Sequence, residues 1–523
     1  MLSFMRKLLL SISLLALTQI YAQDGILDTT FGNGGKVLTS VNGVAEKAYG
    51  LALQSDGKIV VAGYTYSQIS GNDFACIRYN ADGSLDTAFG TGGKATFDLQ
   101  LGSDDKAYSI DIELSTGKIV LGGYSDNGSN KDGAVIRLNT NGTIDTTFGV
   151  NGLAVTNFST SGAPNRQDEY KVIKIHQLTG NIVAGGSSFK TNNDATVIFA
   201  RYTSAGVLDA TFNTSGKVTG LPIPISGWTF LFTIEDLAIK SNGKITAVGW
   251  IKPTTGTLYD DADHYECRLN ANGTLDTTFS EDGYDTDLFA TSDNKTNAII
   301  LNPNDTFDFG GGHPWNNNKT RIYVGTTNAS GTSTNDSTLE FWDNSQPYCY
   351  ALAKDNSGKF VTGGTIIDYT TGNSSFLVCR LMPDLSIDTS FGLGGYAVTF
   401  FDDPLNEAYD MKIQSDGKIV LAGFSGNKIA LARFGTGTLS NDNITVSNNT
   451  KIYPNPASGF LNIVAGKNYS GDLSFTIIDM NGRTIMVGKL SESGNTNVNI
   501  ESLQSGLYLL NAGGTTNIKF IKK

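Results

Sequence analysis

One strand–turn–strand phrase ending in glycine recurs seven times along this chain, and it limits the fold more than any other feature. It reads SDGKIVVAG from Ser55 to Gly63, STGKIVLGG from Ser115 to Gly123, LTGNIVAGG from Leu178 to Gly186 and SNGKITAVG from Ser241 to Gly249. A worn copy, PNDTFDFGG, fills Pro303 to Gly311, and NSGKFVTGG (Asn356 to Gly364) and SDGKIVLAG (Ser415 to Gly423) follow. A spacing of about 60 residues with several strands per unit marks a radial or stacked β array, because one such unit cannot bury its own faces.

Within the first full repeat, Ala48 to Gln54 reads as an inner strand, Ser55-Asp56-Gly57 as a turn and Lys58 to Tyr64 as the returning strand. Asp73 to Asn80 follows after a polar loop, and Lys94 to Asp98 after the phrase LDTAFG (Leu85 to Gly90). Four antiparallel strands joined by tight turns make one propeller blade. The third strand of every repeat carries an arginine: Arg78, Arg137, Arg201, Arg268, Arg321, Arg380 and Arg433. In five repeats an aspartate follows across the next turn, which pairs Arg78 with Asp86, Arg137 with Asp145, Arg201 with Asp209, Arg268 with Asp276 and Arg380 with Asp388. A fixed interval of this kind predicts a structural, charge-assisted bond at each blade corner.

The last repeat passes Arg433 and stops at Leu439-Ser440 without a fourth strand, while the missing piece, ILDTTFGNGGKVLTS, stands at Ile26 to Ser40. The expected fold is therefore all-β: a seven-bladed β-propeller whose N-terminal strand closes the last blade, with Asp28 on Arg433 and Val37 beside Ala430. Closure of this kind leaves no sheet edge exposed.

Composition agrees. Of 523 residues 61 are Gly and only 17% are charged, too much glycine punctuation for a helical protein. Residues 1–22 read as an export signal: Arg6 and Lys7 give a positive start, Leu8 to Leu17 an apolar stretch, and Ile20-Tyr21-Ala22 a cleavage site before Gln23. The apolar stretch is short for a bilayer span, and no transmembrane segment is expected. Loss of the signal leaves 36 Lys and Arg against 50 Asp and Glu, a net charge of −14, which repels nucleic acid and anionic lipid. Cys76, Cys267 and Cys379 occupy nearly matching places in different repeats, and a strand separates Cys349 from Cys379. Both arrangements exceed the roughly 7 Å reach of a disulfide, so free thiols are expected.

The phrases NADGSLDTAFG and GKIVLAG resemble the delta-60 repeat family of bacterial β-propellers, from Ile26 to about Leu439, most weakly in the fifth blade. That resemblance implies the fold and brings no catalytic residues. After a Thr-, Ser- and Asn-rich stretch the chain continues with Lys451-Ile-Tyr-Pro-Asn-Pro, then IIDMNGR (Ile477 to Arg483), then GLYLL (Gly506 to Leu510) and a basic end. These motifs resemble the C-terminal sorting domain of the type IX (Por) secretion system of Bacteroidetes, which implies that the secretion machinery is a partner. The expected domains are a signal peptide at 1–22, a propeller at 23–440, a linker at 441–450 and a small β-sandwich sorting domain at 451–523. The product is then secreted, or attached to the outer-membrane surface.

Loops between second and third strands, and those linking blades, vary most and share one face, where binding tends to concentrate. Trp228, Trp250, Tyr259, Asp261, His313 and Trp315 map to one sector of it and suggest a sugar-binding surface. Glu46, Asp105, Glu169, Glu235 and Glu407 open the inner strands and are expected at the channel mouth, as a solvated rim beside Lys47 and Lys106. NADGSLD and NTNGTID lack the first aspartate and the bidentate glutamate of a calcium loop and read as tight turns. No nucleophile, zinc or phosphate-loop motif is present in the sequence, so no metal, cofactor or catalytic set is expected. The expected function is a non-catalytic binding or adhesion module for a glycan or a protein. The alternative is a polysaccharide-degrading enzyme with its site in the channel.

Overall fold

The computed structural model describes residues 24–100, 102–160, 165–191, 194–221, 228–255, 262–286, 294–315, 319–341, 345–435, 451–464, 474–479, 484–490, 495–512 and 517–523. Ala22, Gln23 and the linker lie outside them. Two compact units divide the chain, Met1–Thr438 and Leu439–Lys523.

In the first unit the described strands form seven four-stranded antiparallel sheets. Their inner strands are Glu46–Leu53, Asp105–Ile112, Gln167–Ile175, Phe230–Ile239, Lys295–Leu301, Ser345–Lys354 and Asn406–Ile413, taken here as blades one to seven. Each inner strand contacts those of both neighbouring blades, the last meeting the first, so the sheets ring a common axis. Blade one continues outward through Ile59–Ser67, Gly71–Tyr79 and Lys94–Phe97.

The second and third strands are nearly continuous apolar runs because both of their faces are covered by other blades. Val60, Ala62, Phe74 and Phe89 of blade one pack on Ala107, Ile119 and Leu121 of blade two. Val420 and Leu431 of blade seven pack on Leu51, Val61 and Ile77 of blade one. Each fully buried side chain of this size contributes about 1.5–3 kcal/mol of transfer free energy.

Blade seven is built from both ends of the propeller chain. Lys36–Thr39 pairs antiparallel with Lys428–Phe434, placing Leu38 opposite Ala430 and Val37 opposite Leu431. The pairing is one residue along from the Val37–Ala430 register expected from the sequence.

The corner arginines do more than close their own blades. Arg78 Nε donates to Asp86 at 2.8 Å, its guanidinium lies over the Phe89 ring, and its Nη1 donates to the carbonyl of Thr140 in the next blade. The same arrangement joins Arg137 to Asp145 at 2.7 Å, Arg201 to Asp209 at 2.9 Å and Arg268 to Asp276 at 2.7 Å, each also reaching a carbonyl one blade on. Arg380 pairs with Asp388 at 2.7 Å and, where the next turn would stand, with the Asp24 carboxylate at 2.6 Å. Arg433 holds Asp28 and reaches Ala81 of blade one.

Blade five departs from the pattern. Arg321 lies in its third strand but opposite His313 and Glu340, at the far end from the corner. The register position of the corner arginine is taken by Thr326, opposite Asp308, and Lys354 of blade six pairs with Asp308 at 2.5 Å. The worn repeat phrase lost the corner along with its sequence. All four cysteines are buried and free.

In the second unit, Lys451–Tyr453, Phe460–Val464 and Asn495–Asn499 form a three-stranded sheet. Ser474–Asp479, Thr484–Lys489, Gly506–Ala512 and Asn517–Lys522 form a four-stranded one. Leu461, Ile463 and Val498 of the first share one core with Phe475, Ile477, Leu510 and Phe520 of the second. The turn at 480–483 lies outside the described residues.

Candidate functional site

Every inner strand carries a β-bulge at the same place, and the glycine that ends each repeat phrase explains it. A Cβ on Gly63 would stand 1.8 Å from the carbonyl oxygen of Lys47. The equivalent clash at Gly123, Gly186, Gly249, Gly311, Gly364 and Gly423 lies between 1.8 and 2.0 Å. Only a residue without a side chain lets the bulged backbone press this close.

The bulges place Tyr49, Tyr108, Lys171, Glu235, Asn297, Tyr350 and Tyr409 at the unpaired positions of blades one to seven. All seven are half-buried and line the axial channel. Four tyrosines form a continuous arc across blades six, seven, one and two. Their ring centres are 5.2 Å apart for Tyr350–Tyr409, 4.6 Å for Tyr409–Tyr49 and 5.1 Å for Tyr49–Tyr108. Tyr409 donates to Glu407 at 2.5 Å. Among the described residues the hydroxyls of Tyr49, Tyr108 and Tyr350 have no hydrogen-bond partner.

The opposite arc is charged. Glu169 accepts from Lys131 at 2.5 Å and from Lys171 at 2.8 Å. Burial alone would raise its carboxyl, but Lys171 and Lys131 outweigh that and hold it at about 2. Burial opposes the charge on Lys171, yet Glu169 and then Glu235 more than offset it and push its ammonium above the ordinary lysine value. Lys171 still keeps 24% of its side chain open to solvent. Glu235 moves the other way: burial raises it despite Lys171, the Trp250 indole and Lys295.

Of the residues singled out in the sequence, Trp250 reaches this channel, where its Nε1 donates to Glu235 at 3.0 Å and Lys295 Nζ lies 4.9 Å from its ring centre. Trp228 instead stacks on Phe230 and packs against the core around blades three and four. Tyr259 and Asp261 lie outside the described residues, as do the side chains of His313 and Trp315, whose backbones belong to the second strand of blade five.

The acidic rim divides by strand alternation. Glu46 is buried and accepts from the backbone of Val41 and Gly43 at 2.7 Å, and Asp105 accepts from Leu99 at 2.8 Å. Both cap the loops that link blades, and Lys47 and Lys106, one residue on, take the lumen side. The rim expected from sequence therefore loses Glu46 and Asp105 and keeps Glu169, Glu235 and Glu407. The tyrosine arc was missed in the sequence, although a signal exists: each bulged residue stands fourteen or fifteen places before its repeat glycine.

This ring of four-stranded blades about a lined channel is a β-propeller. Residues 54–89, 114–148, 177–212, 267–279 and 356–391 match the family described as domain of unknown function (DUF5122) beta-propeller. Residues 451–523 match the secretion system C-terminal sorting domain. The chain is thus a repeat propeller carrying a Por-type sorting tail, and it is exported by type IX secretion to the cell surface or beyond. No curated protein matches it.

Among solved structures it is similar to a catalytically inactive virginiamycin B lyase from Staphylococcus aureus with quinupristin, at 12% identity over 77% of this chain and 99% of that one, TM-score 0.41. Hydrazine synthase of Kuenenia stuttgartiensis matches at 12% identity over 76% and 97%, TM-score 0.44. The β-propeller domain of the Trilobed protease from Pyrococcus furiosus matches at 8% identity over 76% and 100%, TM-score 0.37.

Proposed function

We propose that the exported propeller is a non-catalytic binding module that takes a glycan at the mouth of its axial channel. The observation that carries this reading is the tyrosine arc. Tyr350, Tyr409, Tyr49 and Tyr108 offer ring faces for stacking, and three of their hydroxyls make no bond to a described residue. Rings beside free polar groups suit sugars, whose faces are apolar and whose edges are hydroxyls. The mouth opens on the face that carries the variable loops, which are free to set selectivity. A glycan array probed with the whole chain tests the reading: binding to one group of related glycans is expected, and binding to none overturns it.

A second reading, a polysaccharide-degrading enzyme, draws on Glu169 and Glu235, whose carboxyls are shifted in opposite directions across Lys171, as an acid and base pair would be. Against it, two lysines already hold Glu169 and the Trp250 indole holds Glu235. New reducing ends released from a polysaccharide, and lost in Glu235→Gln, would favour the enzyme.

A further inference from the structure

We infer that the saccharide bound at this mouth is acidic, its charge carried by a carboxylate or a sulfate ester, an inference that rests on the glycan-binding reading above. Three lysines at the mouth lack an ionic partner among the described residues. Five lysines surround the mouth: Lys47, Lys106, Lys131, Lys171 and Lys295. Lys131 and Lys171 are committed to Glu169. Among the described residues Lys47, Lys106 and Lys295 have neither a carboxylate within ion-pairing distance nor a hydrogen bond from Nζ. In a chain of formal charge −12, unsatisfied lysines gathered at one opening are not what the average surface would give.

Each of these ammonium groups is instead seated on an aromatic ring of the preceding blade. Lys47 Nζ stands 3.9 Å from the centre of Phe424, Lys106 4.6 Å from Tyr64 and Lys295 4.9 Å from Trp250. Such cation–π seats hold the charge in place, so that little side-chain freedom remains to be lost when an anion arrives.

Lys47 and Lys106 matter most. They occupy matching positions on adjacent inner strands, each two residues before a tyrosine of the arc, Tyr49 and Tyr108. In both strands the lysine and the tyrosine face the lumen, so a sugar ring laid on these tyrosines carries its acid group toward both ammoniums. Burial chiefly, and after it Lys131 and Lys47, hold the Lys106 ammonium below the ordinary lysine value, against a partial offset from Asp104 and Glu169. An anion placed there relieves that repulsion. The carboxylates of the mouth are engaged elsewhere: Asp104 accepts from Asn72, Glu407 from Tyr409 and Glu235 from Trp250.

The test uses the whole chain and matched pairs of oligosaccharides: uronate oligomers against their methyl esters, and sulfated oligomers against their desulfated forms. The acidic member of at least one pair should bind about tenfold or more tightly, the effect of one charge-assisted hydrogen bond. The double variant Lys47→Gln, Lys106→Gln should shrink that ratio toward one, the acidic member losing more affinity than the neutral one. Preference in the uronate arm assigns a carboxylate, and preference in the sulfate arm a sulfate ester. If neutral glycans bind and no acidic member is preferred, the inference falls and the glycan reading stands. If no glycan of either kind binds, both fall. The wild-type ratio decides the matter even if the double variant proves unstable.

Discussion

Asp28 and Arg433 lie 405 residues apart in the chain and share a charge-assisted bond, with Nε at 2.9 Å and Nη2 at 2.8 Å from one carboxylate oxygen. Both side chains are nine-tenths buried or more, and the pair locks the N-terminal strand into the last blade. Asp28→Ala leaves Arg433 and Lys418 facing an apolar methyl. Removing one partner of a buried pair costs about 3–5 kcal/mol. The urea midpoint should fall accordingly, with proteolysis beginning at the 24–39 segment. An unchanged midpoint would mean that the pair does not hold the ring shut.

Corner arginines should not be equivalent. Asp145 receives both Arg137 and Lys118, whereas at Asp86 the ion-pair partner among the described residues is Arg78, since Lys58 pairs with Asp56. Arg78→Met strands a buried carboxylate and Arg137→Met does not. The first should lower the unfolding midpoint clearly more than the second, and equal losses would contradict the ion-pair account.

The repeat glycines should be intolerant of even one methyl. Gly123→Ala puts a Cβ 1.8 Å from the Lys106 carbonyl oxygen, a backbone atom that cannot swing away. A loss of about 3 kcal/mol is expected, at the upper end of overpacking effects, together with a displaced Tyr108. Alanine accepted there without loss would remove the reason given for the bulges.

Acid should loosen the Asp145 corner. Burial would raise the Asp145 carboxyl, but hydrogen bonds from Lys118, Thr147 and Arg137 outweigh it and hold it well below the ordinary value of 3.8. A carboxyl lower in the folded than in the unfolded state contributes stability that is complete above the unfolded value and lost as pH falls through the folded one. The stability gap between the wild type and Lys118→Met should therefore be full at about pH 7, begin to shrink only below about pH 4, and vanish as pH falls through the folded value. A gap independent of pH would place the Lys118 effect in packing instead.

Much of the fold was legible because the chain states it twice. LDTTFGNGGKVLTS at the start and the three-stranded fragment before Phe434 are halves of one repeat, so ring closure is written in the sequence. The interval from Arg78 to Asp86 is visible because a tight turn fixes it. The channel lining was legible only in the spacing of each bulged residue from its repeat glycine, because KAYGLAL looks like plain alternation and a one-residue bulge moves Tyr49 without changing any residue type. The same alternation turns Glu46 away from the lumen once Lys47 faces it. Arg321 misled because residue type survived in blade five while register did not. Trp250 was picked for its place in a variable sector, yet what brings it to the channel is its pairing with Thr233, one strand out from the axis.

The proposed function places glycan binding on the tyrosine arc at the channel mouth. The direct measurement is the calorimetric affinity of the whole chain for its best array glycan, compared in wild type, Tyr49→Ala and Trp228→Phe. Tyr49→Ala should weaken binding about tenfold or more, equivalent to roughly 1.4 kcal/mol, and Trp228→Phe should leave it unchanged. Full affinity in Tyr49→Ala with loss in Trp228→Phe would move the site off the axis and contradict the account.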